Sequence, residues 1–226
     1  KLLKKLYGQD HNNVHVIFDN NPYVDEFVDE IDGEVFHDHY RVYDEFKISI
    51  PLIKQMLKFW QFTEEEYVDS TPELYFSDEE KQKGNEVIKQ YAGDEEFGGL
   101  LITNRFEGVS KSTGEGYDIE GNIKLMTALL EKCGDLPFFY YIHKKPNEYP
   151  FSFNKCLDMR HMDTRIQLYI RSKAKLNIGT HCGFLDCISR DSKVFQIQRV
   201  FPLNQNIVED IHYVNKDNYL EKLEHI

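Results

Sequence analysis

No stretch of the 226-residue chain approaches the roughly 20 consecutive apolar residues that span a bilayer, so a soluble protein is expected, with peripheral membrane association left open. Cysteine is scarce. The four present, Cys133, Cys156, Cys182 and Cys187, form no C-x-x-C pair and no regular spacing. With no secretory leader ahead of them, that usage predicts a reduced, cytoplasmic setting. Two phosphate-loop signatures, G-x-x-x-x-G-K-S/T and G-x-G-x-x-G, are missing, as are internal repeats and low-complexity segments. Positive charge is in deficit as well: 27 Lys and Arg face 39 Asp and Glu, a net charge of -12. That balance argues against a general nucleic-acid binder, which neutralises phosphates with clustered cations.

What is there suits a globular α/β protein. Hydrophobic residues make up 41% of the chain and aromatics 14%, enough apolar mass for a sizeable core. The acid is concentrated at one end. Residues 1–97 hold 10 basic and 23 acidic side chains, whereas residues 98–226 hold 17 and 16, so an anionic ligand fits the second part better.

Along the chain, "VHVIF" (Val14 to Phe18) reads as a short buried strand and "NNPYVDEFVDEIDG" as an amphipathic turn running from Pro22 to Gly33. "GEVFH" reads as a strand and "ISIPLIKQMLKFWQF" as a helix. "SDEEKQKGNEVIKQYAG" is a clearer helix, with Ser77 as N-cap, acids in the first turn and Gly93 at the end. From Gly98 onward strands and helices alternate with short connections: "GGLLITN", the helix "IEGNIKLMTALLEKCG", "FFYYI", the helix "HMDTRIQLYIRSK", "KLNIG", the helix "FLDCISR", "KVFQIQ" and a last helix "KDNYLEKLEHI". This is the rhythm of a doubly wound parallel sheet. The polar, acidic segment from Tyr91 to Phe97 marks a boundary between residues 1–94 and 95–226.

Ligands of open parallel sheets bind beyond the carboxyl ends of the strands, which selects three loops. The loop 104–118 carries Arg105, Ser110 and Lys111 among further hydroxyls and glycines, a composition that can meet phosphate oxygens. "HKKPNEYP" offers His143, Lys144, Lys145 and Glu148 for a ribose or a base. In "NIGTHCGFLD" the short strand "KLNIG" runs into a turn of Thr180, His181, Cys182 and Gly183, with a helix expected to begin near Phe184. Exposed amides and the positive end of that helix dipole would make an anion seat, with Gly183 admitting a diphosphate and Thr180 adding a hydroxyl. Two further patterns are weaker: His37 and His39 lack a third metal ligand at a diagnostic interval, and adjacent His181 and Cys182 point apart, unsuited to covalent catalysis.

Together, a strand ending in Ile-Gly, a polar triplet, Gly183 and a helix with a side chain three positions on resemble the donor-phosphate turn of the heptosyltransferase-like glycosyltransferases. That is family 9 of the GT-B fold, whose members typically carry D-T-G-x-x-H there. "NPYVDEFVDEI", "GGLLITN" with Lys111, and "MDTRIQLYIRSKAKLNIG" are similar to further stretches of that family in the same order. Aligned on Gly183, the family's Asp falls on His181, its Thr on Cys182 and its His on Asp186, so the acid and the imidazole exchange places. The departure leaves neighbouring GT-B groups, including fucosyltransferase-like ones, open.

The resemblance implies two Rossmann-like lobes with parallel sheets: an N-terminal acceptor-side lobe (1–94), truncated at its start, and a nucleotide-sugar lobe (95–226). It implies transfer of a sugar from a nucleotide-diphosphate sugar to a glycan or lipid-linked acceptor without metal or cofactor. Arg105, Ser110, Lys111, Thr180, His181, Cys182, Gly183, Phe184 and Asp186 would bind the donor, Asp186 at the sugar or ribose. The family's catalytic acid would lie before Lys1, leaving the catalytic residue unassigned. The competing expectation is a non-catalytic GT-B-like module that binds a nucleotide or glycan or serves an assembly.

Overall fold

A computed structural model describes residues 15–28, 72–103, 119–142, 151, 157–180, 182–197, 211–214 and 218–226, with the backbone alone of residues 2–3, 5–6, 9–10, 13–14 and 156. The readings made for "GEVFH", "ISIPLIKQMLKFWQF", and His37 and His39 lie outside the described residues. Among them, no helix is long and apolar enough to cross a membrane.

The first part is built of short pieces. Strand β1 (Leu2–Leu3) pairs in parallel with β4 (Phe27–Val28), β2 (Lys5–Leu6) pairs antiparallel with β3 (Gln9–Asp10), and between them lies helix α1 (Asn13–Phe18). The segment expected to be a strand is therefore helical. A five-residue apolar run fits either period, and here distant contacts decide. In the last turn the carbonyls of His15 and Val16 accept hydrogen bonds from Arg165 at 3.5 and 2.8 Å, the first of them shared with the Asp19 amide, and Asn20 takes a left-handed conformation (φ 61°) that turns the chain away. Of the amphipathic turn read from Pro22 to Gly33, residues 29–33 lie outside the described residues, and the part as far as Val28 is not helical. It bends at Pro22 and Tyr23 and ends in β4.

Helix α2 (Asp78–Tyr91) begins where the sequence places it. Ser77 Oγ accepts from the Glu80 amide at 3.2 Å while a Glu80 carboxylate oxygen accepts from the Ser77 amide at 2.7 Å, a reciprocal capping box. After α2 come β5 (Gly98–Ile102), α3 (Ile119–Lys132), β6 (Phe138–Ile142), β7 (Cys156–Asp158), α4 (Thr164–Ser172), β8 (Leu176–Thr180), α5 (Gly183–Asp186), β9 (Lys193–Ile197), β10 (Ile211–Val214) and α6 (Tyr219–Leu223). The six strands from β5 to β10 form one parallel sheet in the order β10-β9-β8-β5-β6-β7. This is a Rossmann-like α/β architecture. The edge strands β7 and β10 have no counterpart in the sequence reading, being three and four residues long.

Both faces of the sheet are covered, which is why β5 reads as an unbroken apolar run and every residue of β8, its polar Asn177 and Thr180 included, is buried. On one face Leu100, Ile102, Ile178 and Phe195 pack with Leu125, Met126 and Leu129 of α3, and Tyr219 and Leu223 of α6 close the layer. On the other, Leu101 and Val194 meet Leu168 of α4 and Leu185 of α5, while Phe139 meets Ile166 and Ile170 of α4. Helix α2 lies over α4 as an outer layer, and the approach is close: a Cβ on Gly84 would stand 2.2 Å from Tyr169 Cδ1. A division at residues 94 and 95 thus separates α2 from the layer on which it packs.

A polar knot holds the crossover from α4 to β8. Asn177 Nδ2 donates to the Arg171 carbonyl and to Ser192 Oγ, each at 2.9 Å, and Ser192 Oγ donates to the Ala174 carbonyl at 2.7 Å. Arg171 itself is fully buried. Its guanidinium donates to the Leu100 carbonyl at 2.8 Å and weakly to Asn177, leaves Nε without a partner, and has no carboxylate beside it among the described residues. Burial pushes its pKa down to about 10, so it remains charged at neutral pH. Gly99 makes room for the knot, since a Cβ there would overlap Asn177 Oδ1 at 2.0 Å.

Candidate functional site at the carboxyl ends of β5 and β8

Strands β5, β6 and β7 are laid down in one direction, and the α4 crossover then returns the chain to the other side of β5, where β8, β9 and β10 follow. Consequently β5 leads to α3 on one face and β8 leads to α5 on the opposite face. The chain parts above neighbouring strand ends, and a crevice at such a point is where open α/β sheets take ligands. The loops 104–118 and 143–150 and residue His181 continue from the ends of β5, β6 and β8, which are adjacent in the sheet. Arg105, Ser110, Lys111, His181 and the residues of "HKKPNEYP" lie outside the described residues.

The ends of β5 and β8 are joined by a threonine pair. Thr180 Oγ1 accepts from the Thr103 amide at 3.1 Å, and the two hydroxyl oxygens are 3.0 Å apart. Thr180 is 4% exposed, so its hydroxyl, expected to be offered to a phosphate, is engaged in joining β8 to the end of β5. Thr103 is a site residue that the sequence reading did not single out, although it stands directly after the strongest strand signal.

Beyond Thr180 the two glycines of the turn serve different ends. A Cβ on Gly179 would lie 2.4 Å from the Leu101 carbonyl oxygen and 2.7 Å from Leu185 Cδ1, so this glycine permits packing of strand and helix. Gly183 is the opposite case. Among the described residues a Cβ there would meet only Asp186 Oδ2, at 3.9 Å. Gly183 is exposed and its φ is not left-handed, so the turn itself does not require a glycine.

The helix that was to supply the dipole is short. α5 has four residues, with Cys182 extended before it (φ -162°, ψ 149°), and the Leu185 amide is bonded to the Cys182 carbonyl at 3.1 Å. Burial pushes the Cys182 thiol upward, although the amides of Leu185 and Phe184, turned toward the sulfur, pull the other way. Burial also holds Cys187 up, at about 12, with the Asp186 charge adding to the effect. Neither thiol is an activated nucleophile. Phe184 packs its ring on the cluster around Leu185 and Ile188.

Asp186 is buried. Its Oδ1 accepts from Gln196 Nε2 at 2.7 Å, and its backbone carbonyl accepts from Ser189 Oγ at 3.0 Å. Gln196 stands opposite Gly179 in the β8–β9 register, is fully buried, and its Oε1 has no hydrogen-bond partner. The one sequence signal for Gln196 was a polar residue amid the apolar run "KVFQIQ". A carboxylate fixed next to Gly183 favours hydroxyl donors over phosphate oxygens at that spot.

A second polar centre lies on the same edge of the sheet. Arg165, in the first turn of α4, donates from Nε and Nη2 to the Glu80 carboxylate and from Nη2 to the Tyr75 carbonyl, besides the α1 carbonyls already described. Burial alone would raise the Glu80 carboxyl, yet the Arg165 hydrogen bond and charge hold it below its ordinary value. At the end of β7, Asp158 accepts from Arg160 Nε at 2.7 Å and is held low in the same way, against the effect of burial. Among the described residues no group of three His, Cys, Asp or Glu side chains is placed to hold a metal ion.

No protein-family profile matches the chain, and no curated protein is significantly similar to it.

Proposed function

We propose that the chain is the nucleotide-sugar-binding part of a GT-B-like glycosyltransferase. The donor's nucleotide diphosphate would lie across the carboxyl ends of β5 and β8. The observation that carries this reading is the parting of the chain above the Thr103–Thr180 pair, with α3 and α5 leaving to opposite faces. Lys111 and Arg105, on the loop that follows Thr103, are the cations assigned to the diphosphate, where they would stabilise the charge that grows on the leaving phosphate. The exposed Gly183 admits the donor, and Asp186, steadied by Gln196, suits the hydroxyls of a ribose or sugar. The acceptor, a glycan or glycolipid, approaches from residues 1–94.

Titration calorimetry of the full chain with UDP, GDP and ADP tests the reading, followed by assay of the matching sugar nucleotides for hydrolysis. Micromolar binding with turnover is the expected result. Absence of binding to all three would refute it.

One pair of observations favours a second reading, a non-catalytic nucleotide- or glycan-binding module. The Phe184 and Leu185 amides are turned to the Cys182 sulfur, and the Asp186 carboxylate stands beside Gly183, both of which weaken an anion seat at α5. Binding without hydrolysis is its signature.

A further inference from the structure

Within β9 the buried run Val194, Phe195, Gln196, Ile197 is apolar except for Gln196. Gln196 pairs with Gly179 of β8 and Tyr213 of β10, and the next pair along, Ile197 with Thr180, ends the β8–β9 ladder. Paired residues share a face of the sheet, and Tyr213 packs with Leu185 and Ile188, so the Gln196 side chain lies on the α5 face beside the carboxyl end of β8. There its Nε2 donates to Asp186 Oδ1 at 2.7 Å. That bond fixes which way the amide is turned and leaves Oε1 as its acceptor end. Oε1 is buried and, among the described residues, has no hydrogen-bond partner. Buried carbonyl oxygens are paired in the great majority of cases, because an unmet one costs its whole dehydration. Holding Asp186 accounts for Nε2 and not for Oε1.

Asp186 connects this orphan with the surface. Its second oxygen, Oδ2, would stand 3.9 Å from a Cβ on Gly183, and Gly183 is exposed. We propose that Gln196 is a specificity-determining residue of the crevice: Oε1 accepts a hydrogen bond from a hydroxyl of the sugar nucleotide, on the ribose or on the transferred sugar. The assignment rests on the reading of the crevice as a nucleotide-sugar site. A carboxylate and a carboxamide oxygen side by side present acceptors only, so they take O–H groups and turn away phosphate oxygens. The dehydration of Oε1 is already complete in the folded chain. A ligand hydroxyl therefore gains the bond against its own dehydration alone, and an acceptor held in one direction separates ligands that carry the hydroxyl from those that lack it.

The test is titration calorimetry of the full chain with UDP, GDP and ADP, then with the 2′-deoxy and 3′-deoxy forms of whichever binds and with its hexose conjugates, in wild type and in Gln196→Met. Methionine is unbranched like glutamine and carries no carbonyl. With the ribose as the source of the hydroxyl, one deoxy form binds about 10-fold more weakly than its parent in wild type and equally well in Gln196→Met. With the transferred sugar as the source, a conjugate binds about 10-fold more tightly than the free diphosphate in wild type, and the variant again removes the difference. Both comparisons are ratios within one protein, so a general loosening of the variant does not imitate them. Wild type that binds a nucleotide diphosphate yet treats deoxy forms and conjugates alike overturns the assignment without recourse to any variant. So do differences that persist at full size in a folded Gln196→Met, and either result leaves the donor reading intact. No binding of any nucleotide diphosphate removes the donor reading, and the assignment with it.

Discussion

Arg165 reaches across 85 residues of sequence to Glu80, the same carboxylate that closes the α2 capping box on Ser77. One guanidinium thereby ties four segments at the carboxyl edge of the sheet: the start of α4, the start of α2, the 72–77 strand of chain through Tyr75, and the end of α1. The fork geometry of arginine, with donors pointing in several fixed directions in one plane, is what makes this possible. Phe76 lies over the guanidinium, 5.3 Å from ring centroid to Cζ, and completes the enclosure.

Because the pair is largely buried, removing one partner strands the other. Arg165→Ala should cost about 3 to 5 kcal/mol in urea unfolding, and Arg165→Lys most of that, because a lysine cannot serve the carboxylate and the carbonyls together. A loss below about 1 kcal/mol in Arg165→Ala would show that the hub contributes no more than a surface ion pair.

Gly84→Ala sets two effects in opposition. Alanine gains roughly 1 kcal/mol over glycine in a helix interior, but its Cβ would lie 2.2 Å from Tyr169 Cδ1. Tyr169 has little room to yield, since its hydroxyl donates to Asn85 at 2.9 Å and its ring meets Phe76 edge-on. Overpacking should therefore win, with a net loss of about 1 to 3 kcal/mol. A melting temperature equal to or above wild type would show that α2 lies farther from α4.

The pH dependence of stability should show two windows. His212 is stacked between Phe195 and His225; burial first, then the charge of His225, then those of Lys222 and Lys193, lowers its pKa below the ordinary 6.5. The unfolded chain takes up that proton more readily, so stability is full above about pH 6.5 and declines as pH falls toward the folded value. Glu80 and Asp158, lowered from 4.5 and 3.8, follow the same sign further down: their contribution is complete above those values and is lost as pH falls through the folded ones. Thermal melts between pH 7 and 5 should therefore fall in wild type and flatten in His212→Gln. An equal slope in both would rule out His212 as the cause.

At the crevice, Lys111→Ala is expected to weaken nucleotide diphosphate binding by about 1 to 3 kcal/mol, the size of a charge-assisted contact. Gly183→Val is the sharper probe, because among the described residues a Cβ there meets only Asp186 Oδ2, at 3.9 Å, so the variant should leave the melting temperature unchanged while blocking the approach of a ligand to the backbone. Calorimetry with UDP, GDP and ADP reads both variants. Retained affinity in a folded Gly183→Val would remove that turn from the site.

How far the sequence could be read depended on whether the deciding contacts were local. Helix α2 was legible because Ser77 and Glu80 are three residues apart, and Gly93, at φ 66°, ends it within the same segment. Strand β5 was legible from five apolar or glycine residues in a row. By contrast α1 is settled by Arg165, which lies 149 residues from Val16, and no window of sequence contains both. The candidate site divides in the same way. Its place, at the ends of β5 and β8, follows from glycines and apolar runs, but the partners of Thr180 and Asp186, namely Thr103 and Gln196, come from neighbouring strands and depend on register. Equal spacing of Gly179 and Gly183 about one turn also concealed their difference, since only a third dimension separates a glycine that fits a wall from one that opens a door.

The guanidinium of Arg171 sits beneath the sheet with no negative partner among the described residues, within electrostatic reach of Cys182 at the crevice. Mobile ions cannot crowd around a charge sealed in the interior, and the surrounding medium attenuates it far less than bulk water would. Its influence on the groups packed near it, Cys182 among them, is therefore little altered by added salt, in a chain whose net charge is -12.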